Sequence, residues 1–261
     1  MALSNAAVGE DDYVLMMLDD LIKTAATFIA LDDGKVIGMM TYHDQLDGTG
    51  WISSARTHPD YRRRGVASSI VHALERYGSE RGARALRLWT EETNELGKAA
   101  FLGIGFMEVG KFTRFTAPEG KTDLGLDVEK ISYSERLWES IEASPIMRRS
   151  RMYVNHGFGF IRLDQSVLRR LTDQSFVYGW NDTIAVLTEF MFAGVETLEG
   201  QILTGEVAEG LSELRGVAKD FGIKQVHTFP PRYDDLVEAA QRTGYSLMEW
   251  GHEAILCEKP I

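Results

Sequence analysis

The chain has 261 residues, of which 44% are hydrophobic and 26% charged, and its formal net charge is −11. This apolar content excludes a disordered protein, and a single cysteine, Cys257, excludes a disulfide framework and a cysteine-based zinc site. The charge is −4 over residues 1–124 and −7 over the remainder, so neither half has the basic surface of a nucleic-acid-binding protein.

The sequence also argues against a membrane or exported protein. The longest apolar stretch, Ile184–Val195, is interrupted by Thr188 and Glu189 and is too short to span a bilayer. The first twelve residues contain acids and lack the basic and apolar regions of a signal peptide. We therefore expect a cytoplasmic protein without membrane or nucleic-acid partners. Its acidity favours a cationic substrate such as an amine.

The first half predicts alternating helices and strands. The expected elements are a helix over 11–23, strands over 27–31 and 36–42 around a turn at 32–34, a strand over 50–56 ended by His58-Pro59, a helix over 65–77, a strand over 85–89, a helix over 94–102, and two strands through 115. An interior strand–loop–helix unit within this order predicts an α/β (α+β) fold.

A turn-rich, charged segment, Pro118-Glu119-Gly120-Lys121, is the best linker candidate. It divides the chain into predicted domains 1–124 and 125–261. After it the same order of elements returns. These elements are a helix over 134–143, a strand pair centred on 181–182, a strand ending near 203, a helix over 206–221, a strand over 225–229, a helix over 233–242, and a final strand pair.

Glycines at matching positions support a duplication of the domain. The pairs are Gly65 with Gly205, Gly82 with Gly222, and Gly105 with Gly244, each separated by 139 or 140 positions. Because the elements between them also match, the sequence predicts two similar domains in tandem.

One segment carries the residues of a binding site. In Arg56–Ser68, a predicted strand ends, a short loop carries three arginines, and a helix begins at small residues. Unpaired N–H groups and the helix dipole favour an anion at such a helix start. Gly65 and Ala67 allow close approach of the backbone, and the arginines supply hydrogen bonds to phosphate oxygens. We therefore predict a phosphate site. The histidines are scattered through the chain, so we expect no metal site.

This segment resembles the GNAT N-acetyltransferases. Arg62-Arg63-Arg64-Gly65-Val66-Ala67 matches that family's pattern (Gln/Arg)-x-x-Gly-x-(Gly/Ala). Asn94 and Gly105-Phe106 follow at the family's usual places, so the resemblance covers about residues 25–116. It implies two tandem GNAT-like (acyl-CoA N-acyltransferase) domains, each a mixed twisted sheet flanked by helices.

The resemblance also implies acetyl-coenzyme A as co-substrate and no metal. An acceptor amine, on a small molecule or a peptide, would attack the thioester directly in a ternary complex. The residues implied for binding the cofactor are Ala55, Arg56 and Thr57 along the pantetheine arm, Arg62, Arg63, Arg64, Gly65, Val66, Ala67 and Ser68 around the pyrophosphate, and Asn94 and Phe101 beside the thioester.

The catalytic residues depart from the family's pattern. Many relatives carry a tyrosine where this chain has Phe101, and some carry a glutamate base where it has Trp89. Since an alkylamine has a pKa of about 10.4, it must lose a proton before it attacks. Substitute bases are Glu91 or Glu92, just after the strand, or His43 or Asp44 at the end of the hairpin.

Two further hypotheses about the function compete with acetyl transfer. A GNAT-like module that keeps coenzyme A affinity without catalysis fits the missing tyrosine and glutamate. Nucleic-acid binding through the arginines is the least favoured, because the chain is so acidic. In the second half Ile202–Val207 replaces the motif, and Glu206 places negative charge where a phosphate would bind, so we expect no cofactor there.

The N-terminal part is short for the family. Only about 26 residues precede the first hairpin, so the usual first strand is expected to be absent, or to be supplied by the second half or by a homodimer partner.

Overall fold

The computed structural model describes residues 2–10, 12–120, 125–157, 159–192, 194–249 and 251–261. It contains two compact units. Unit 1 comprises Met1–Trp89, Asn94–Glu108 and Cys257–Ile261, and unit 2 comprises Thr90–Thr93 and Val109–Leu256. The domain boundary at residue 124 stays a prediction, and Lys121 of the proposed linker lies outside the described residues.

The first half forms nearly the elements that its sequence predicts. These are α1 (Ala2–Ala7), α2 (Tyr13–Thr24), β1 (Ala26–Asp32), β2 (Lys35–Asp44), β3 (Gly50–Thr57), α3 (Val66–Glu80), β4 (Ala85–Glu91), α4 (Glu95–Gly103) and β5 (Met107–Thr113). Asp12 caps α2, since its carboxylate accepts a hydrogen bond from the Val14 N–H. The predicted start of α2 at Asp11 falls outside the described residues.

The second half contains more elements than its sequence predicts. They are β6 (Phe115–Pro118), β7 (Glu129–Lys130), α5 (Glu135–Ala143), α6 (Pro145–Arg149), β8 (Tyr153–His156), β9 (Gly159–Arg162), α7 (Gln165–Asp173), β10 (Val177–Trp180), β11 (Thr183–Phe192), β12 (Val195–Thr204), α8 (Val207–Asp220), β13 (Gln225–Thr228), α9 (Asp234–Arg242), β14 (Ser246–Leu247) and β15 (Glu253–Pro260). Sequence analysis missed α6, α7 and the β8–β9 hairpin. It also missed α1, in the first half.

One sheet has six strands in the order β1-β2-β3-β4-β15-β5. β3 and β4 run parallel but pair only at Gly50 with Leu86 and at Trp51 with Arg87. Beyond those pairs the two strands form no further ladder, so the edge of β3 that faces β4 is open from Ile52 onward. This opening leads to the end of β3 at Thr57, where the arginine loop begins.

The C-terminal residues complete unit 1. The guanidinium of Arg87, 1% exposed, donates to Asp47 at 2.7 Å and to Glu258 at 2.6 Å. Lys259 forms an ion pair with Glu75 on α3. Because removing one partner of a buried ion pair leaves an uncompensated charge, these contacts specify the place of the last strand.

The other sheet has seven strands in the order β14-β6-β13-β12-β11-β10-β7. Its core against α8 includes Leu198, Ile202, Leu214 and Val226. The prediction of a closing strand pair is wrong, because β14 and β15 belong to different sheets. Unit 1 does receive a strand from the second half, but that strand lies between β4 and β5, and β1 occupies the edge of the described sheet.

The six repeat-matched glycines share one backbone conformation. Their φ angles are positive, at 78° and 99° for Gly65 and Gly205, 82° and 75° for Gly82 and Gly222, and 99° and 87° for Gly105 and Gly244. Residues with side chains rarely adopt this conformation, so each glycine marks the same kind of turn in both copies.

Within the described ranges, no helix is long and apolar enough to cross a membrane. Among the same residues, no three His, Cys, Asp or Glu side chains gather closely enough to hold a metal ion.

Two histidines, the partly buried His156 and the fully buried His227, make the stability of the fold depend on pH. Burial lowers the pKa of His156 and of His227 to about 4. In the unfolded chain a histidine has a pKa of about 6.5, so between these values the unfolded state binds more protons. The free energy of unfolding therefore shows no loss from these histidines above about pH 6.5. It falls as the pH drops towards 4, by up to about 1.4 kcal/mol per pH unit for each histidine.

Urea unfolding at several pH values between 7.5 and 4.5 tests this expectation. The His156→Gln variant should show a shallower fall in the free energy of unfolding than the parent chain. Parallel curves for variant and parent would contradict it.

Candidate active site

The arginine loop leads from β3 to α3. His58 caps a 3-10 turn over Pro59–Tyr61, and its ring nitrogen accepts from the Asp60 N–H at 3.3 Å. Two residues then take left-handed conformations, Arg63 with φ 61° and Gly65 with φ 78°. A methyl group at Gly65 would meet no atom of the chain within 4 Å, so open space lies over this turn.

The start of α3 is not capped by any side chain. Gly65 occupies the cap position, so the first N–H groups of the helix, which include those of Val66 and Ala67, have no intrahelical acceptor. These donors and the helix dipole favour an anion at this point. The structure thus brings together the loop residues that the sequence singled out, from Arg62 to Ser68.

The three loop arginines are exposed and have different neighbours. Arg62 donates to the Ala7 carbonyl oxygen at 3.0 Å, and Arg64 lies over the Tyr61 ring, 5.3 Å from its centroid. These contacts are weak and solvent-exposed, so both guanidinium groups can turn towards a ligand.

Arg56 has a different role from the loop arginines. Its guanidinium donates to both oxygens of the buried Asp12 carboxylate, at 2.7 and 2.5 Å. Burial opposes ionisation of Asp12, but the hydrogen bond from Arg56 prevails and holds the pKa of Asp12 below its usual value. The side chain therefore ties β3 to the start of α2. Only the backbone of Arg56, with that of Ala55 and Thr57, is left to meet a ligand along the opening.

A strained serine interrupts β3 beside this opening. Ser54 has φ 54°, a left-handed conformation within a strand, and the pairing of β2 with β3 shifts register there. The residue is 3% exposed, and its hydroxyl has no hydrogen-bond partner. Backbone strain and an unpaired buried hydroxyl are both typical of functional sites. Sequence analysis missed Ser54, because nothing in Ser53-Ser54 indicates a left-handed residue.

Asn94 and Phe101 have structural roles on α4. The side chain of Asn94 caps the helix by accepting from the Gly97 N–H at 3.0 Å. Phe101 is buried and packs edge-to-face on Phe106, with ring centroids 5.6 Å apart. Phe101 has no proton to donate, so it cannot act as a general acid.

The predicted bases differ in their surroundings. Hydrogen bonds from Arg232 and Lys111 lower the pKa of Glu92 to about 2, which makes its carboxylate a weak base. Glu91, the last residue of β4, is partly exposed and has no such ion pair.

His43 and Asp44 do not lie near the arginine loop. β2 pairs with β3 from Gly38 opposite Thr57 to Asp44 opposite Gly50, so the length of β3, about 23 Å, separates Asp44 from the loop. Asp44 is also ion-paired with Arg81. That ion pair weakens the basicity of Asp44, and a catalytic part for His43 or Asp44 stays a prediction.

The second copy has closed the equivalent helix start. Glu206 caps α8, since its carboxylate accepts from the Glu209 N–H at 2.7 Å. A methyl group at Gly205 would come within 3.0 Å of the Asp182 carbonyl oxygen, so there is no open space over this turn. The chain's own carboxylate thus occupies the place where an anion would bind in unit 1.

The geometry in unit 1 agrees with a family match. Residues 6–106 match the acetyltransferase (GNAT) family. This segment is a GNAT-family domain. Over 91 residues the chain is 30% identical to aminoglycoside N(6')-acetyltransferase type 1 of Salmonella typhimurium. That alignment covers 32% of this chain and 63% of the relative, so the chain spans less than two thirds of the curated relative's length.

Solved structures match nearly the whole chain. A GCN5-related N-acetyltransferase from Sphaerobacter thermophilus has a TM-score of 0.59 at 12% identity, over 96% of this chain and 86% of its own. A tandem GNAT protein from the clavulanic acid biosynthesis pathway has a TM-score of 0.50 at 12% identity, over 97% of this chain and 96% of its own. At this identity the likeness establishes the fold alone. It confirms the predicted fold, two tandem GNAT-like domains.

The strain at Ser54 gives a stability prediction. Glycine adopts φ 54° without the cost of about 1–2 kcal/mol that a side chain incurs. Ser54→Gly should therefore have a higher free energy of unfolding than the parent chain. It should also be more stable than Ser54→Ala by about 1 kcal/mol. Both variants lack the hydroxyl, so their difference in urea unfolding isolates the backbone strain. Equal stabilities would show that the residue is unstrained.

Proposed function

We propose that the chain is an N-acetyltransferase that transfers the acetyl group of acetyl-CoA to a primary amine, by direct attack in a ternary complex. One observation carries the proposal. Within a GNAT-family domain, the uncapped start of α3 follows two left-handed residues and three exposed arginines, with open space over Gly65. This arrangement fits the pyrophosphate of coenzyme A.

Each part of the site has a role in holding the cofactor. The N–H groups from Gly65 to Ser68 and the side chains of Arg62, Arg63 and Arg64 bind the pyrophosphate oxygens. Backbone groups of Ala55, Arg56 and Thr57 hydrogen-bond to the amide groups of the pantetheine arm along the open edge of β3. Asn94 and Phe101 hold α4 in place beside the thioester.

The chain's contribution to the chemistry is positioning and removal of a proton. The cofactor supplies an activated acetyl group, and the acceptor amine must be unprotonated to attack it. Glu91 is the proposed base, because ion pairs weaken the basicity of the other candidate, Glu92. The Ser54 hydroxyl is a further donor available to orient a polar group at the open edge of β3.

The proposed acceptor is a small molecule bearing a primary amine. Support comes from the acidity of the chain and from the curated relative, which acts on an aminoglycoside. A peptide amine is the second acceptor class to test. The competing function is a coenzyme A-binding module without catalysis, which Phe101 and Trp89 favour because neither exchanges a proton.

Calorimetric titration with acetyl-CoA tests the cofactor site and its stoichiometry. We expect one site per chain, because Glu206 closes the second copy. Gly65→Ala should lose more than tenfold in affinity, since its methyl group enters the space over the turn.

Gly82→Ala is the matched control for that titration. Gly82 has φ 82° and equally open surroundings, at the far end of α3. Both variants should lose a similar amount of stability, about 1 kcal/mol, and only Gly65→Ala should lose affinity. Two sites per chain, or equal affinities in the two variants, would overturn this placement of the cofactor.

Variants of two adjacent glutamates test whether the chain is an acetyltransferase or a coenzyme A-binding module without catalysis. With glucosamine, spermidine and a lysine peptide as acceptors, Glu91→Gln should reduce the rate of acetyl transfer by about 10²–10⁴-fold. Glu92→Gln should mainly lower stability, because it removes the carboxylate that Lys111 and Arg232 share. If the parent chain binds acetyl-CoA and acetylates none of these amines above background, the chain is a coenzyme A-binding module and the proposed acetyl transfer is wrong. A larger rate loss in Glu92→Gln than in Glu91→Gln would show that Glu92 is the base.

A further inference from the structure

The seven-stranded sheet of unit 2 has two unlike faces. Leu198, Ile202 and Val226 line the face that packs against α8. Because side chains alternate along a strand, Glu199, Gln201 and His227 lie on the opposite face, which α6 and β8 contact. We call this surface, defined by Thr188, Glu199, Gln201 and His227, the polar face.

Three of the four side chains of the polar face are buried as deeply as a hydrophobic core, and Thr188 is partly exposed. Glu199 and Gln201 are each 1% exposed, and His227 is fully buried. Glu199 lies opposite Thr188 on β11 and beside His227 on β13, so these three residues lie in one row, and Gln201 lies two residues further along β12. Polar side chains are seldom buried in this way unless each is hydrogen-bonded.

Several atoms of this face have no partner in the chain. They are both ring nitrogens of His227, the Oε1 of Gln201 and the hydroxyl of Thr188. Leaving such an atom unpaired costs about 1–3 kcal/mol, so several together require an explanation.

The next row of the same sheet face shows that the chain can satisfy such groups. Gln225 accepts from the Thr197 hydroxyl at 3.1 Å and donates to the Thr116 hydroxyl at 3.1 Å. The unpaired atoms are thus confined to one part of the face.

We propose that the polar face binds a small, uncharged, hydroxyl-rich molecule of the sugar or polyol class. A hydroxyl group both donates and accepts, so it suits Gln201 Oε1, an acceptor, and the His227 ring, which offers one donor and one acceptor when neutral. The site lies wholly within unit 2 and does not rest on the proposed acetyl transfer.

The surroundings of His227 disfavour a cation. Burial, and after it the nearby and fully buried Arg114, oppose protonation of the ring, so the imidazole is neutral. Phe190 and Phe192 place their rings 6.0 and 5.0 Å from the His227 ring, which supplies an apolar wall for the C–H face of a sugar ring.

Histidine-selective NMR of the full chain tests the proposal. The probes are glucose, inositol and glycerol, each titrated to about 10 mM. The His227 resonances, assigned by their loss in His227→Phe, should shift and saturate with one equivalent of at least one probe. Binding should be slow, because the covering elements must open first.

Two glutamine variants provide the matched comparison. Gln201→Leu should weaken binding of that probe about tenfold, because it removes an unpaired acceptor of the site. Gln225→Leu, on the same face but already satisfied within the chain, should change it less than threefold. Thermal unfolding of both variants checks that they are folded.

Three outcomes would overturn the proposal. They are no shift of His227 with any of the three probes, equal losses in the two glutamine variants, or a stronger response to spermidine than to the polyols. Acetyl-CoA binding by the same samples is measured in parallel, so failure here is distinct from failure of the cofactor site in unit 1.

Discussion

The left-handed turn that begins α3 is the constraint on which the site depends. Because Gly65 takes φ 78° and offers no side chain, the helix starts with its N–H groups unpaired and with open space above them. A capping serine or aspartate would satisfy these donors and stabilise the helix by about 1 kcal/mol. The chain forgoes that stability and keeps a positive helix terminus beside three arginines.

The second copy shows what happens when that constraint is relaxed. Gly205 keeps the same left-handed conformation, but Glu206 follows it and caps α8 with its own carboxylate. Glu206 thus supplies from within the chain a negative charge that the start of α3 lacks, and it takes, in extended conformation, the cap position that the left-handed Gly65 holds in α3.

The sheet of the second copy has two unlike faces. One face is a dry core against α8, and the other buries Glu199, Gln201 and His227. Both ring nitrogens of the buried His227 lack a partner within the chain, and an apolar residue of similar volume would cost less at this place. The polar face is therefore the part of unit 2 where function is to be sought.

The sequence by itself determined most elements of the first half and the position of the arginine loop between β3 and α3. Period-2 and period-3.6 patterns locate β2, β3 and α3, and the arginines before Gly65 indicate an anion site, because these signals depend on neighbours in the chain. The glycine repeat revealed the duplication for the same reason.

Only the tertiary structure decided the sheet to which each late strand belongs and the partners of the charged residues. β14 and β15 both have strand patterns, but a pattern does not specify which edge a strand will join, and the contacts of Glu258 with Arg87 span 171 positions. The ion pairs that weaken Glu92, the strain at Ser54 and the unpaired His227 likewise arise from residues distant in sequence. Local periodicity carries no information about such contacts, because they exist only once the chain has folded.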